Sequence, residues 1–359
     1  MRSSPSLDRL HPQSILVIKP SALGDVVQSL PLLPALRKRF PAARISWVIN
    51  SDLANLLEHH PLIDELITYE RHGSLRAWLG LLGRLRQCRF DLVLDLQGLL
   101  RTGLMTAATG ASLKIGIEAA REGSWLSCHQ LVPGTRRGEP AHQIYARVTE
   151  FIGGRYVADQ VHVTPDNDDH AVVDSLLRRA REQKLAVQPG AKWVTKRWPV
   201  ERFADVTVRA AERFGLTPVV LGSPSERPLC EQLEQLVRQR NSSIRCVNLA
   251  GATTLRQLAV VLKSCAISIT NDSGPMHLAA AVGTPVVSVF LCTDSVRSGP
   301  TGDQHELVST RVSCNGSYRR KCPHFGDRHM ACMHELDTER VWSAVLRLMK
   351  KNSLDGAAA

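Results

Sequence analysis

The residues best suited to chemistry in this chain sit in short loops, each following an apolar run. The earliest is the K-P-S-A-L-G-D segment from Lys19 through Ser21 to Asp25. Gly24 permits a sharp turn there, and Asp25 stands where a helical pattern begins. Asp25 reads either as a helix-capping acid, accepting backbone N–H bonds and complementing the helix dipole, or as a general base for a hydroxyl proton. The two roles conflict in part, because capping bonds favour the ionised form and lower its basicity. A second loop, Gln188 to Pro199, carries Gly190, Ala191, Lys192, Lys196 and Arg197 beside Trp198. Its cations are able to screen a diphosphate; the alternative is a solvated basic loop with a packed tryptophan. The third, T-N-D-S-G-P-M-H from Thr270 to His277, opens a helix, so its N–H groups and the positive helix end suit a diphosphate. Asp272 and Ser273, which precede Gly274, read alternatively as turn residues, and His277 as a core histidine. In the fourth, G-S-P-S-E, Glu226 suits ribose hydroxyls or a helix start. None of these is a G-x-G-x-x-G or G-x-x-x-x-G-K-[ST] motif, so neither a dinucleotide site nor an ordinary NTPase is indicated.

Such loops need a scaffold that brings strand ends together. Short apolar runs near Ser14–Lys19, Arg44–Asn50, Leu66–Tyr69 and Phe90–Leu96 alternate with helical patterns, Ser74–Cys88 being a basic amphipathic one. After an acidic break at Asp166–Asp169 the alternation resumes. Strands are expected at Leu185–Gln188, Pro218–Gly222, Ile244–Leu249, Ala266–Thr270 and Pro285–Phe290, with helices at Val200–Phe214, Pro228–Gln239, Leu255–Lys263 and Met276–Val282. Alternation of this kind implies parallel sheets with right-handed crossovers. The expected architecture is α/β: one Rossmann-like domain over 1–165, a second over 166–337, then a helix from 338 returning to the first domain and a disordered tail ending at 359.

The 359 residues suit two domains, and 43% hydrophobic with 22% charged residues is ordinary for a soluble α/β protein. A net charge of +11 favours anionic partners. No apolar run approaches the roughly 18–20 residues of a membrane span. The first fifteen residues lack a signal-peptide pattern, so a cytoplasmic location is expected. Aromatic residues are only 5%, without a stacking motif beside the basic residues, which argues against a nucleic-acid binder.

In order, K-P-S-A-L-G-D, P-G-A-x(4)-K-R-W-P, G-S-P-x-E and N-D-S-G-P-M-H-L-A-A-A-x-G-T-P resemble the ADP-heptose:lipopolysaccharide heptosyltransferases of glycosyltransferase family 9. The resemblance runs from about Ile15 to the last helix and implies a GT-B fold, two Rossmann-like domains facing a cleft. It makes Asp25 the base of an inverting displacement. The donor is held by Lys196 at the diphosphate, by Glu226 at the ribose, and by Asp272, Ser273, Gly274 and His277. Ala191 and Lys192 occupy positions where some members carry paired threonines. The implied donor is ADP-heptose, with no obligatory cofactor and no metal. The implied acceptor is an anionic lipopolysaccharide precursor, Kdo-lipid A or its heptosylated form, at the inner face of the cytoplasmic membrane. Lys19, Ser21, Arg101, Lys114 and Arg121 are its candidate contacts, the last three expected in loops after first-domain strands. A nucleotide-sugar epimerase of the same fold, or a member using another donor, is the alternative. Cys314, Cys322 and Cys332, interleaved with His324, His329 and His334, lack paired C-x2-C knuckles; zinc or an iron–sulfur group is one reading of them.

Overall fold

The computed structural model describes residues 10–158, 161 and 163–355, and the chain divides between Thr164 and Pro165 into two units. In the first unit, strands β1 (Ser14–Ile18), β2 (Arg44–Asn50), β3 (Glu65–Tyr69), β4 (Leu92–Asp95), β5 (Leu113–Ile117) and β6 (Gln130–Val132) form one sheet in the order β3-β2-β1-β4-β5-β6. In the second, β7 (Lys184–Gln188), β8 (Thr217–Val220), β9 (Val247–Asn248), β10 (Ile267–Asn271), β11 (Val286–Phe290) and β12 (His305–Ser309) take the order β12-β11-β10-β7-β8-β9. Every pairing in both sheets is parallel.

The central strands are apolar throughout because helices cover both sheet faces: Ile15, Leu16, Val17 and Ile18 are all fully buried. The helix Val200–Phe214 shows how sequence sets the covering layer. Its apolar stripe, including Val200, Phe203, Ala204, Val208 and Ala211, faces the core, and Gly215 ends it in the left-handed conformation (φ 67°) that favours glycine.

The two sheets share one topology. In each, the unit's first strand is central and the order reverses beside it, at β1/β4 and at β7/β10. Ligands of open α/β sheets bind at the carboxyl end of such a switch point.

Several expectations are corrected. The first sheet has β5 and β6 beyond the four expected strands, and the second has β12 beyond the expected five. Between β2 and β3 the chain makes only the single helical turn Ser51–Ala54. The terminal helix Thr338–Asp355, expected to return to the first domain, belongs to the second unit. Val341, Ala344, Val345 and Leu348 are buried in the second unit's core beside Phe203 and Leu336, and Trp342 meets Phe214 at 6.2 Å between ring centroids. Its amphipathic stripe was legible in the sequence; which sheet it would cover was not. The expected tail at 356–359 lies outside the described residues, as do residues 1–9.

Candidate active site

At the first switch point β1 ends and the chain turns through Lys19 and Pro20 into the helix Leu23–Ser29. The turn is tied down by backbone: Trp47 Nε1 donates to the Lys19 carbonyl at 3.2 Å, and the Asn50 N–H donates to that of Pro20 at 3.2 Å. Asp25 lies in the first turn of the helix. Its Oδ2 accepts the Ala22 N–H at 3.2 Å and lies 3.8 Å from Lys19 Nζ. The Asp25 side chain is 42% exposed, that of Lys19 only 5%. Capping and cation both meet the same oxygen, and Oδ1 is left for a ligand. The capping reading of Asp25 is seen directly in the Ala22 contact, and its side chain stays open enough to solvent for a second partner.

Lys19 is enclosed by groups that sequence reasoning did not single out. Nζ donates to Gln97 Oε1 at 3.3 Å and lies 5.7 Å from the centroid of the buried Tyr145 ring. Burial pushes the Lys19 ammonium below its ordinary range, opposed by the charges of Asp25 and Asp95. Asp95, at the end of β4, is buried and pushed up by that burial. The N–H groups of Gly98 and Gln97, each at 3.0 Å, and the Thr102 hydroxyl act the other way. Burial and the nearby Asp25 carboxylate hold the Tyr145 phenol well above its usual range. The signal for this shell was the polar D-L-Q-G run, Asp95 to Gly98, closing an apolar strand.

The other first-unit candidates are spread out. Ser21 is half-buried in the same turn. Arg101 is exposed in the first turn of the helix Leu100–Ala108 rather than in a loop, and donates to the Arg71 carbonyl at 3.3 Å. Arg121 lies in the loop after β5, where its N–H donates to the Gly98 carbonyl at 2.7 Å. Lys114 is corrected: it stands inside β5, level with Val93 and Leu16, because the strand begins at Leu113. A pocket of about 250 Å³ at the ends of β2 and β3 is lined by Ser51, Thr68, Tyr69, Glu70 and Trp78 among others.

The second switch point joins the loop after β7 to the loop after β10. Asn271 staples them: its Nδ2 donates to the Pro189 carbonyl at 2.8 Å and its Oδ1 accepts the Trp198 N–H at 3.0 Å. Arg197 Nε donates to the buried Ala191's carbonyl at 2.7 Å, folding the loop on itself. Lys196 Nζ, 4.8 Å from the centroid of the Trp193 ring, pairs with Asp272 Oδ2 at 2.7 Å. Here the exposure is reversed, 18% for the lysine and 6% for the aspartate. Ser273 is the N-cap residue of the helix Gly274–Ala281, without a side-chain cap bond of its own; its hydroxyl lies 3.3 Å from that of Thr270. The N–H groups of that helix end are thus presented beside Lys196. His277 is buried, and Lys192 is exposed.

Glu226 belongs to the same edge. Its Oε2 accepts the Ser223 N–H and hydroxyl, each at 2.9 Å. Its Oε1 packs so closely on Gly190 that a Cβ at that position would stand 2.2 Å away. Glycine in the P-G-A loop is needed for this approach.

Cys332 lies in the second unit's core, and burial pushes its thiol up to about 11. The Cys322 thiol accepts the Met330 N–H at 3.3 Å. Among the described residues no three His, Cys, Asp or Glu side chains converge as a metal-ligand set. Among those residues, too, no helix is long and apolar enough to cross a membrane.

The profile of glycosyltransferase family 9 (heptosyltransferase) matches residues 78–325, more than half of the chain. The chain belongs to that family. It is a glycosyltransferase of the heptosyltransferase type. Among family 9 relatives it is similar to a lipopolysaccharide core heptosyltransferase, OpsX, of Haemophilus influenzae, with 26% identity over 302 residues covering 83% of this chain and 84% of that protein. It is also similar to lipopolysaccharide heptosyltransferase 1 of Pseudomonas aeruginosa, with 25% identity over 323 residues, 86% and 87% of the two chains. Among solved structures, Escherichia coli ADP-heptose heptosyltransferase II superposes with a TM-score of 0.74 at 20% identity, covering 95% of this chain and 99% of that one. That likeness gives the fold, GT-B, which the paired six-stranded sheets embody.

Proposed function

We propose that this family 9 enzyme transfers heptose from ADP-L-glycero-D-manno-heptose to the inner core of a lipopolysaccharide precursor, with inversion at the anomeric carbon. The observation that carries the reading is the presentation of one charge at each switch point: the Asp25 carboxylate on the first unit and the Lys196 ammonium on the second. The Asp25 Oδ1 takes the acceptor hydroxyl proton as that oxygen attacks the anomeric carbon. The bond from that carbon to the diphosphate breaks, and the charge gained by ADP is met by Lys196 and the N–H groups opening the helix Gly274–Ala281. Glu226, held against Gly190, binds the ribose hydroxyls, and Asp272 orients Lys196.

The names of the relatives support a lipopolysaccharide acceptor, and a structure of Escherichia coli WaaC is of a complex with an ADP-2-deoxy-2-fluoro heptose. Ser21, with Arg101 and Arg121, forms the acceptor side of our reading, while the buried Lys19 holds Asp25 in place instead of touching the acceptor. The enzyme works without an obligatory cofactor, at the cytoplasmic face of the inner membrane where a lipid-borne acceptor resides.

A donor screen tests this reading. ADP-heptose and ADP-, UDP- and GDP-hexoses are offered with defined lipid A–core acceptors, and products are read by mass spectrometry. The expected result is addition of one heptose, from ADP-heptose alone and only with acceptor present. A new sugar formed without acceptor, or preference for a hexose donor, contradicts it.

A further inference from the structure

All the large apolar side chains that stand exposed among the described residues of the first unit fall on one patch: Leu75 and Leu79, Leu100 and Leu104, Trp125 and Leu126. Those of the second unit, such as Val172, Val296 and Phe325, are scattered along its sequence. The first pair occupies successive turns of the helix Leu75–Gln87, and the second does the same on Leu100–Ala108. The third lies in the 3-10 turn Ser124–Ser127.

These elements are knitted side by side. Arg101 reaches the Arg71 carbonyl in the loop before the first helix. The Leu100 N–H donates to Glu122 Oε2 at 3.1 Å. Gly103 packs so tightly on the turn that a Cβ there would meet Ser124 Cα at 2.9 Å. Leu126 is 83% exposed and Leu75 72%. A folded chain keeps so much leucine in water only where something covers it.

Charge identifies the cover. The helices and the turn carry Arg76, Arg84, Arg86 and Arg101 and no carboxylate of their own; the adjoining Glu122 is engaged by the Leu100 N–H. Arg84 is paired with Glu65, leaving Arg76, Arg86 and Arg101 exposed around the leucines. Shallow apolar side chains with an indole and a fringe of arginines match an anionic bilayer, whose headgroups take the cations while the leucines enter the acyl boundary.

We infer that the face formed by Leu75–Gln87, Leu100–Ala108 and Ser124–Ser127, on the unit that carries Asp25, docks on an anionic lipid bilayer. The inference rests on the proposed lipid-borne acceptor, and it assigns the contact to these side chains. The full-length protein is sedimented with vesicles of phosphatidylcholine alone and of phosphatidylcholine mixed with phosphatidylglycerol. The protein binds the mixed vesicles, and the L79Q/L104Q/L126Q variant loses about a hundredfold in partitioning. That variant keeps its melting temperature, its ADP affinity and its rate on a delipidated acceptor. An R76Q/R86Q variant loses only the preference for the anionic vesicles. Equal binding by wild type and triple leucine variant overturns the inference. So does a wild-type dimer that the leucine substitutions dissolve without changing vesicle binding, since the cover is then a second copy. Failure of the heptose-transfer reading appears separately, as no turnover of ADP-heptose, and leaves the vesicle result standing.

Discussion

The two units place a lysine–aspartate pair at the same point of the same topology and turn it opposite ways. Over the first sheet Lys19 is hidden and Asp25 faces outward, 3.8 Å apart; over the second Asp272 is hidden and Lys196 is the more exposed partner, at 2.7 Å. In the mechanism we propose, the hidden member fixes and neutralises, and the presented member meets substrate. A sheet that presents a carboxylate suits proton removal, and one that presents an ammonium beside a helix N-terminus suits a diphosphate. Which partner is buried, more than which residues are present, divides the work.

The largest effect expected from breaking this arrangement is at the presented acid. Asp25→Asn keeps the Oδ acceptor for Ala22 but removes the base, and kcat should fall by about 10²–10⁴. Turnover within tenfold of wild type removes Asp25 from that role. The hidden partners come next. Lys19→Met and Asp272→Asn each leave the presented group in place but loosely held, and we expect losses of roughly tenfold, in kcat for the first and in donor KM for the second. A smaller change follows from Gly190→Ala, whose methyl displaces the Glu226 carboxylate. Donor KM should rise several-fold, with roughly the factor of a weakened hydrogen bond, and the acceptor KM should stay unchanged.

A last effect, on stability and not on turnover, separates the units by pH. His305 is buried at the start of β12, with Nδ1 accepting the Val286 N–H, and burial pulls its pKa from 6.5 to about 4. A histidine depressed on folding contributes stability above its unfolded pKa and loses it as pH falls through the folded one. Stability of the second unit should therefore decline between pH 6.5 and about 4, by up to about 3 kcal/mol, and His305→Gln should flatten that decline. Lys19 in the first unit is depressed as well, but its window lies on the alkaline side, where stability rises as the pH climbs toward its unfolded value of 10.5. Melting curves between pH 4 and 7 check the histidine directly.

Much of this was written locally. The loops with Asp25, Lys196, Glu226 and Asp272 follow apolar runs closely enough to be read as strand ends, and helices such as Leu255–Lys263 carry their own caps, here Thr254 with Gln257. Two of the three missed strands were short or polar: β6 has three residues, and β12 reads H-E-L-V-S; the third, β5, reads L-K-I-G-I, its apolar run broken by a lysine and a glycine. Pairing with a neighbour, rather than composition, makes them strands. The shell around Lys19 was hidden for another reason. Gln97 lies 78 positions away in sequence, and only the parallel pairing of β1 with β4 brings it to the lysine. The direction in which each lysine–aspartate pair faces was likewise beyond reach, since burial belongs to the fold.

The division of labour is tested most directly by titrating ADP calorimetrically into Asp25→Asn and Lys196→Met side by side. The account predicts that Asp25→Asn binds ADP within about twofold of wild type, while Lys196→Met loses about tenfold or more, the worth of a charge-assisted hydrogen bond. Equal losses in the two variants, or an unchanged affinity in Lys196→Met, would contradict it.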